Sequence, residues 1–254
     1  MRDVAGMSLL VTGGGSGLGE GIARHFVERG ARVTISGRRP EKVAAVAAAL
    51  GPDCAAVAAD VTDADGRARM IEAAVAHGGG LDALINNAGN MYRGAITEVE
   101  ESKLHDVFAS NVIGPMLLTG LAVPHLARRG GAVIFFGSVH TRRSYPGASP
   151  YAATRAATEG LTRVLAAELG PQKIRVNCIV PGAVPTEINV RAGLFADAEA
   201  SAKRLESMIP QHPLGRIGTP EEIAEGVDYL ARAEWVTGAS LVVDGGLGLG
   251  LTQA

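Results

Sequence analysis

Ser8-Leu9-Leu10-Val11-Thr12-Gly13-Gly14-Gly15-Ser16-Gly17-Leu18-Gly19 reads as a short apolar strand that runs into a glycine-rich turn and then into the start of a helix. Glycines let a chain turn tightly and let its backbone approach a ligand. The free N–H groups and positive dipole end of the following helix attract anionic oxygens. The spacing is not G-x-G-x-x-G, and such a turn can also serve only to reach positive φ. Its place at the first strand-to-helix junction points to a dinucleotide pyrophosphate, held by Gly13, Gly15, Ser16, Gly17, Leu18 and Gly19.

The same alternation continues outward along the chain. Short apolar runs recur at Arg32–Ser36, Cys54–Ala59, Ala83–Asn86, Ala132–Phe136, Arg175–Val180 and Ser240–Val243, which with the first makes seven strands. Between them, segments such as 18–29, 41–50, 64–77, 104–126 and 152–169 carry apolar residues at helical spacing. Strand–helix alternation with nearly continuous apolar strands predicts an α/β fold: a seven-stranded, mainly parallel, doubly wound sheet with helices on both faces. No linker or repeat interrupts the pattern, so residues 1–254 are expected to form a single dinucleotide-binding and catalytic domain. The stretch from Pro181 to Pro213 lacks a strand and is long for a connection. Residues 190–213 are therefore expected to cover a substrate.

Composition narrows the function classes. The 254 residues are 47% hydrophobic, and a net charge of −2 with both signs interspersed gives no one-sided basic surface for nucleic acid or an anionic membrane. The first apolar run is too short for a signal segment or a membrane span, which predicts a cytoplasmic protein. Cys54 and Cys178 stand far apart without metal-ligand spacing; buried thiols are expected, and no metal site.

The second strand ends at Ser36-Gly37-Arg38-Arg39. An NAD-preferring fold usually places a carboxylate there for the ribose 2′-hydroxyl. Arg38 and Arg39 instead suit the 2′-phosphate of NADP(H), with NAD(H) as the alternative. Further along, Ser138 closes the fifth strand and Tyr151 opens a helix with Arg155 four residues on. That spacing puts the guanidinium beside the phenol, where a cation about 5 Å away favours phenolate by roughly 3 kcal/mol. Ser138 is then placed to hydrogen-bond a substrate oxygen, and Tyr151 to exchange a proton with it.

Taken together, these residues resemble the short-chain dehydrogenase/reductase family over essentially the whole chain. The glycine loop, Asp60-Val61, Asn86-Asn87-Ala88-Gly89, Asn111, Ser138, Tyr151 and Pro181-Gly182-Ala183-Val184-Pro185-Thr186 stand in that family's order. The resemblance implies a single-domain Rossmann oxidoreductase, often a homotetramer, moving a hydride between a nicotinamide cofactor and a small carbonyl or alcohol. It implies Asp60 and Val61 at the adenine, Asn87, Ala88 and Gly89 at the ribose, and Pro181, Gly182, Val184 and Thr186 at the nicotinamide. It further implies Asn111 holding a relay water. Arg155 stands where the family has Lys, which keeps the charge but changes its shape; a cofactor-binding protein without catalysis is the alternative this raises. Ser138-Val139-His140, Glu206–Pro210 and Gly215–Gly218 resemble the glucose 1-dehydrogenases, which implies His140 and Asn189 in the substrate pocket. Asn90-Met91 stand where that group has an acidic residue.

Overall fold

A computed structural model describes residues 1–250. Five strands, β1 (Ser8–Thr12), β2 (Arg32–Gly37), β3 (Cys54–Ala58), β4 (Ala83–Asn86) and β5 (Ala132–Phe136), are followed by β6 (Arg175–Pro181) and β7 (Ser240–Val243). They form one sheet in the order β3-β2-β1-β4-β5-β6-β7. All six pairings are parallel, so the sheet is wholly rather than mainly parallel. Parallel neighbours need crossovers, and here helices make them, burying both sheet faces. This is why β1, β4, β5 and β6 are buried at every position.

Helices α1 (Gly17–Val27) and α2 (Pro40–Leu50) cover one face; α3 (Ala64–Gly78), α4 (Glu101–Phe108), α5 (Gly114–Ala127) and α6 (Ser149–Leu169) follow in the chain. The strands supply alternate side chains to two cores. Leu9, Val11, Ile85 and Ile134 meet α1 residues Ile22 and Phe26 on one face. Leu10, Leu84, Val133 and Phe135 meet Met70, Leu118 and Leu126 on the other. Truncating any one of the fully buried Leu, Ile, Met or Phe side chains among these to Ala costs about 2–5 kcal/mol.

After β6 come the short α7 (Ile188–Arg191) and α8 (Ala198–Glu206), then α9 (Pro220–Arg232), which packs beside α1 in the first core. The segment expected to cover a substrate is thus largely helical. The glycine-rich tail folds into a 3-10 turn at Leu247–Leu249. Leu247 is fully buried against Val139, Ala183 and Leu205, so the tail packs on α8 and on the loop after β6.

Strand order reverses between β1 and β4, whose following connections leave in opposite directions. A crevice opens there beyond the strands' carboxyl ends, as in other open α/β sheets.

Candidate active site

A cavity of ≈ 320 Å³ occupies this crevice. At one end lies the glycine loop. Gly13 and Gly17 adopt φ of +70° and +57°, which favours glycine. Asn87 holds the loop from the neighbouring strand: its Nδ2 donates to the carbonyls of Thr12 (2.8 Å) and Gly13 (3.2 Å). The Ala88 amide donates to Thr12 Oγ1 at 2.9 Å. Both residues line the cavity, while their polar groups brace the loop.

Of the residues expected at the cofactor, Gly13, Gly15, Ser16, Gly17, Leu18, Arg38, Arg39, Asp60, Val61, Asn87, Ala88, Gly89, Arg155, Pro181, Gly182, Val184 and Thr186 line this one cavity. So do Ser138, Tyr151, His140 and Asn189. Gly19 and Asn111 do not. A Cβ on Gly19 would strike the Gly13 carbonyl and Asn87 Nδ2, so its requirement for glycine is the close approach of α1 to the loop. Asn111 lies one layer behind the cavity, buried in a π-turn, Ala109–Ile113, between α4 and α5. Its Nδ2 donates to Asn90 O (2.9 Å) and Thr154 Oγ1 (3.0 Å). Its Oδ1 accepts from the Asn90 amide (2.7 Å) and Ser110 Oγ (3.0 Å). The side-chain amide is saturated by the protein and clamps the Asn90 loop to α6.

Tyr151 and Arg155 sit one turn apart on α6, both buried, with the guanidinium carbon 5.0 Å from the phenol ring centroid. Arg155 Nη1 donates to Phe136 O at 3.0 Å, and a Cβ on Gly89 would lie 2.7 Å from Nη2. The guanidinium thus fills the space between the end of β5 and the turn after β4. Its Nε is buried without a partner.

Ser138 follows β5 by two residues, not at its end, and caps a 3-10 turn, Val139–Thr141. Its Oγ accepts from the His140 amide (3.3 Å) and lies 3.1 Å from His140 Nδ1. The His140 ring packs on Tyr145 (4.6 Å between centroids) and edge-on to Tyr151 (5.3 Å). Burial, then the charges of Arg93 and Arg155, push its pKa down to about 4. The imidazole is neutral at ordinary pH and touches Ser138, a contact the sequence reading did not include. Glu159, buried on α6, holds the turn from below by accepting from Thr141 Oγ1 (2.5 Å) and pairing with Arg142.

Two clusters in the cavity wall escaped the sequence reading. At the reacting end are Arg93, Tyr145 and Arg204; Tyr145 Oη is buried with no partner. At the rim, Lys42, Glu187 and Arg191 join Arg39. No motif marks these positions, and they meet only through loops distant in sequence. Among the described residues no group of His, Cys, Asp and Glu is arranged to hold a metal. Ser36 Oγ, Tyr145 Oη and Arg155 Nε are all buried without partners and all belong to residues on this cavity. An elongated polar ligand such as a dinucleotide with its substrate fits that set.

A doubly wound parallel sheet, a glycine loop at its switch point and a Tyr-x-x-x-cation helix facing a Ser define a dinucleotide-dependent oxidoreductase fold and site. The chain belongs to the short-chain dehydrogenase/reductase family. The family profile described as enoyl-(acyl carrier protein) reductase matches residues 13–248. The chain is 38% identical to an uncharacterised oxidoreductase of Methylorubrum extorquens, over 97% of this chain and 100% of the relative. It is 36% identical to dehydrogenase/reductase SDR family member 4 of Homo sapiens, over 93% and 86% of the two chains. A 3-ketoacyl-(acyl-carrier-protein) reductase of Brucella melitensis, solved with NADH, superimposes with a TM-score of 0.88 at 32% identity, covering 96% of this chain and 99% of that one.

Proposed function

We propose that the protein is an NADP(H)-preferring dehydrogenase or reductase acting on a small ketone, secondary alcohol or polyol. The observation that carries this reading is the convergence of Tyr151, Arg155 and Ser138 on one wall of a cavity whose other end is the glycine loop. A bound nicotinamide supplies or accepts the hydride. In reduction Tyr151 donates its phenolic proton to the substrate oxygen, and in oxidation it takes that proton back. Ser138 donates a hydrogen bond to the same oxygen, and the neutral His140 beside its Oγ orients the hydroxyl. Arg155, whose guanidinium carbon lies 5.0 Å from the Tyr151 ring centroid, keeps a positive charge beside the reacting phenol and offers its guanidinium to the cofactor ribose. Asp60 and Val61 face the adenine, Asn87 to Gly89 the ribose, and Pro181 to Thr186 the nicotinamide.

Residues 190–213 serve as the substrate cover, with Phe195, Arg204, Leu205 and Met208 turned to the cavity. The guanidiniums of Arg93 and Arg204 and the free Tyr145 hydroxyl favour an oxygen-rich substrate over a hydrocarbon ketone. Asn189 lies on the same wall. We place the working form as a cytoplasmic homotetramer; an apolar stripe of Ile113, Met116, Leu117 and Leu121 on the outer side of α5 supports self-association.

The test mixes the protein with NADPH or NADH and a panel of ketones, aldehydes and quinones, with sugars and polyols in reverse, following the nicotinamide absorbance. Turnover with one coenzyme is expected, and Tyr151→Phe is expected to lower kcat by about 10²–10⁴-fold with little change in coenzyme affinity. Coenzyme binding without turnover on every substrate would make the protein a non-catalytic binder.

A further inference from the structure

Four cations and two carboxylates meet at the adenosine end of the cavity. Arg39 Nη2 donates to Glu187 Oε2 at 2.9 Å and to Ser16 Oγ, in the glycine loop, at 3.2 Å. Lys42 Nζ stands 3.9 Å from the other Glu187 oxygen, and Arg38 Nε stands 3.9 Å from Asp60 Oδ2. Arg191 lies four residues beyond Glu187, on the cavity wall. Its guanidinium is held below the usual value by desolvation and then by Arg39, with Arg38 adding to this and Glu187 opposing it. The carboxyl of Glu187 is held below the usual carboxylate range, first by the hydrogen bond from Arg39. Positive charge exceeds negative here by two. Such a cluster is built for an anion larger than one carboxylate.

Glu187 reaches this cluster from the other side of the cleft. It is the residue before α7, at the head of the segment that covers the cavity, and its partners Arg39 and Lys42 belong to the β2–α2 region. An ion pair across a ligand cleft takes a hydrogen-bonding group that a ligand would otherwise use. The 2′-phosphate of NADP(H) carries more charge than a carboxylate and offers three acceptor oxygens to the same guanidinium. A coenzyme without that phosphate leaves the pair intact.

We propose that Glu187 sets the coenzyme-phosphate selectivity: its carboxylate occupies Arg39 as an internal stand-in for a 2′-phosphate, which displaces it and recruits Arg191 as a further ligand. The inference rests on the dinucleotide reading above. Glu187 acts against NADP(H), so the arginines' preference for the phosphate is tempered rather than maximal. Displacement of Glu187 also frees the head of α7, which couples the identity of the coenzyme to the freedom of the cover.

Adenosine 2′,5′-bisphosphate and 5′-AMP, which differ by the phosphate in question, are titrated calorimetrically into the wild-type protein, Glu187→Gln, Arg39→Gln, the double variant and Arg191→Gln. Removing one competing charge-assisted hydrogen bond corresponds to about tenfold in affinity. Glu187→Gln is expected to tighten the bisphosphate by about five- to tenfold and 5′-AMP by less than about twofold. That gain is expected to vanish in the Arg39→Gln background, as coupling through Arg39 demands. Arg191→Gln is expected to weaken the bisphosphate alone. An unchanged or reduced preference for the bisphosphate in Glu187→Gln would overturn the proposal and make the pair a strap that stays closed over either coenzyme. Failure of the wild-type protein to bind either nucleotide would instead bring down the dinucleotide reading, and this inference with it.

Discussion

Arg155 is the residue at which this chain departs from the family pattern, and its surroundings suit a guanidinium. One nitrogen donates to Phe136 O at 3.0 Å, the guanidinium carbon lies 5.0 Å from the Tyr151 ring centroid, and Nη2 fills the space that glycine at position 89 leaves open. A lysine keeps the charge but not the planar, multi-donor shape that fills this space. Arg155→Lys is therefore expected to retain turnover within about tenfold while losing about 1 kcal/mol of stability through one hydrogen bond, since Phe136 O still accepts from Thr158 Oγ1 at 2.9 Å; Arg155→Met is expected to lower kcat by about 10²-fold. Steady-state kinetics and chemical denaturation read the two effects separately. Restored or increased turnover in Arg155→Lys would mark the arginine as a lesion.

His140 makes a second prediction at this scale. Its folded pKa of about 4 lies below its ordinary value of 6.5, so the unfolded chain takes up the proton first as pH falls. The contribution to stability is whole above about pH 6.5 and drains away between 6.5 and 4, by at most about 3 kcal/mol. Urea midpoints measured near pH 7 and near pH 4.5 are expected to draw together in His140→Gln relative to wild type. An unchanged pH dependence would mean that the imidazole is not desolvated.

At the scale of elements, α9 shows what a local signal can do. Thr219 caps it, and its hydroxyl accepts from the Glu222 amide (3.4 Å), while the Glu222 carboxylate accepts from the Thr219 amide (2.9 Å). Pro220 occupies the first turn, where no N–H is needed. The sequence Thr219-Pro220-Glu221-Glu222 carries this start in full. Thr219→Ala is expected to cost about 1 kcal/mol, seen as a lower thermal midpoint with unaltered coenzyme binding. The π-turn at Ala109–Ile113 had no such signal. It exists because Asn111 reaches both the Asn90 loop and Thr154 of α6, and both partners are remote in sequence.

For the whole molecule, the helical stretch Glu101–Ala127 is long and predominantly apolar. Its α5 portion buries Leu118, Ala122 and Leu126 on the sheet and, with Ile113 just before it, exposes Met116, Leu117 and Leu121 on the far side. An outer apolar face on a helix already packed by its inner face suits a second copy of the chain. Leu121→Asp is expected to lower the assembly state in sedimentation or light scattering while leaving the monomer folded. The amino-terminal ends of the strands are tied by Asp82, nearly fully buried, which accepts from Arg2 (2.9 Å), Arg129 (2.8 Å) and the Ser8 amide (2.9 Å). Asp82→Ala strands the Ser8 amide and two half-shielded guanidiniums, an expected loss of about 2–3 kcal/mol without effect on the opposite, cofactor-binding end.

The sequence by itself determined the seven strands, the doubly wound order of events and the motifs at the strand ends. These are recorded in local signals: apolar runs four to six residues long, helical spacing between them, and glycines at most places where the backbone must turn or pack closely. Tertiary structure alone decided that Glu187 pairs with Arg39, that His140 leans on Ser138, and that the amide of Asn111 is spent within the protein. Each of those contacts depends on a loop conformation, and hydrogen bonds and charge pairs act over a few ångströms between residues that the chain does not place side by side.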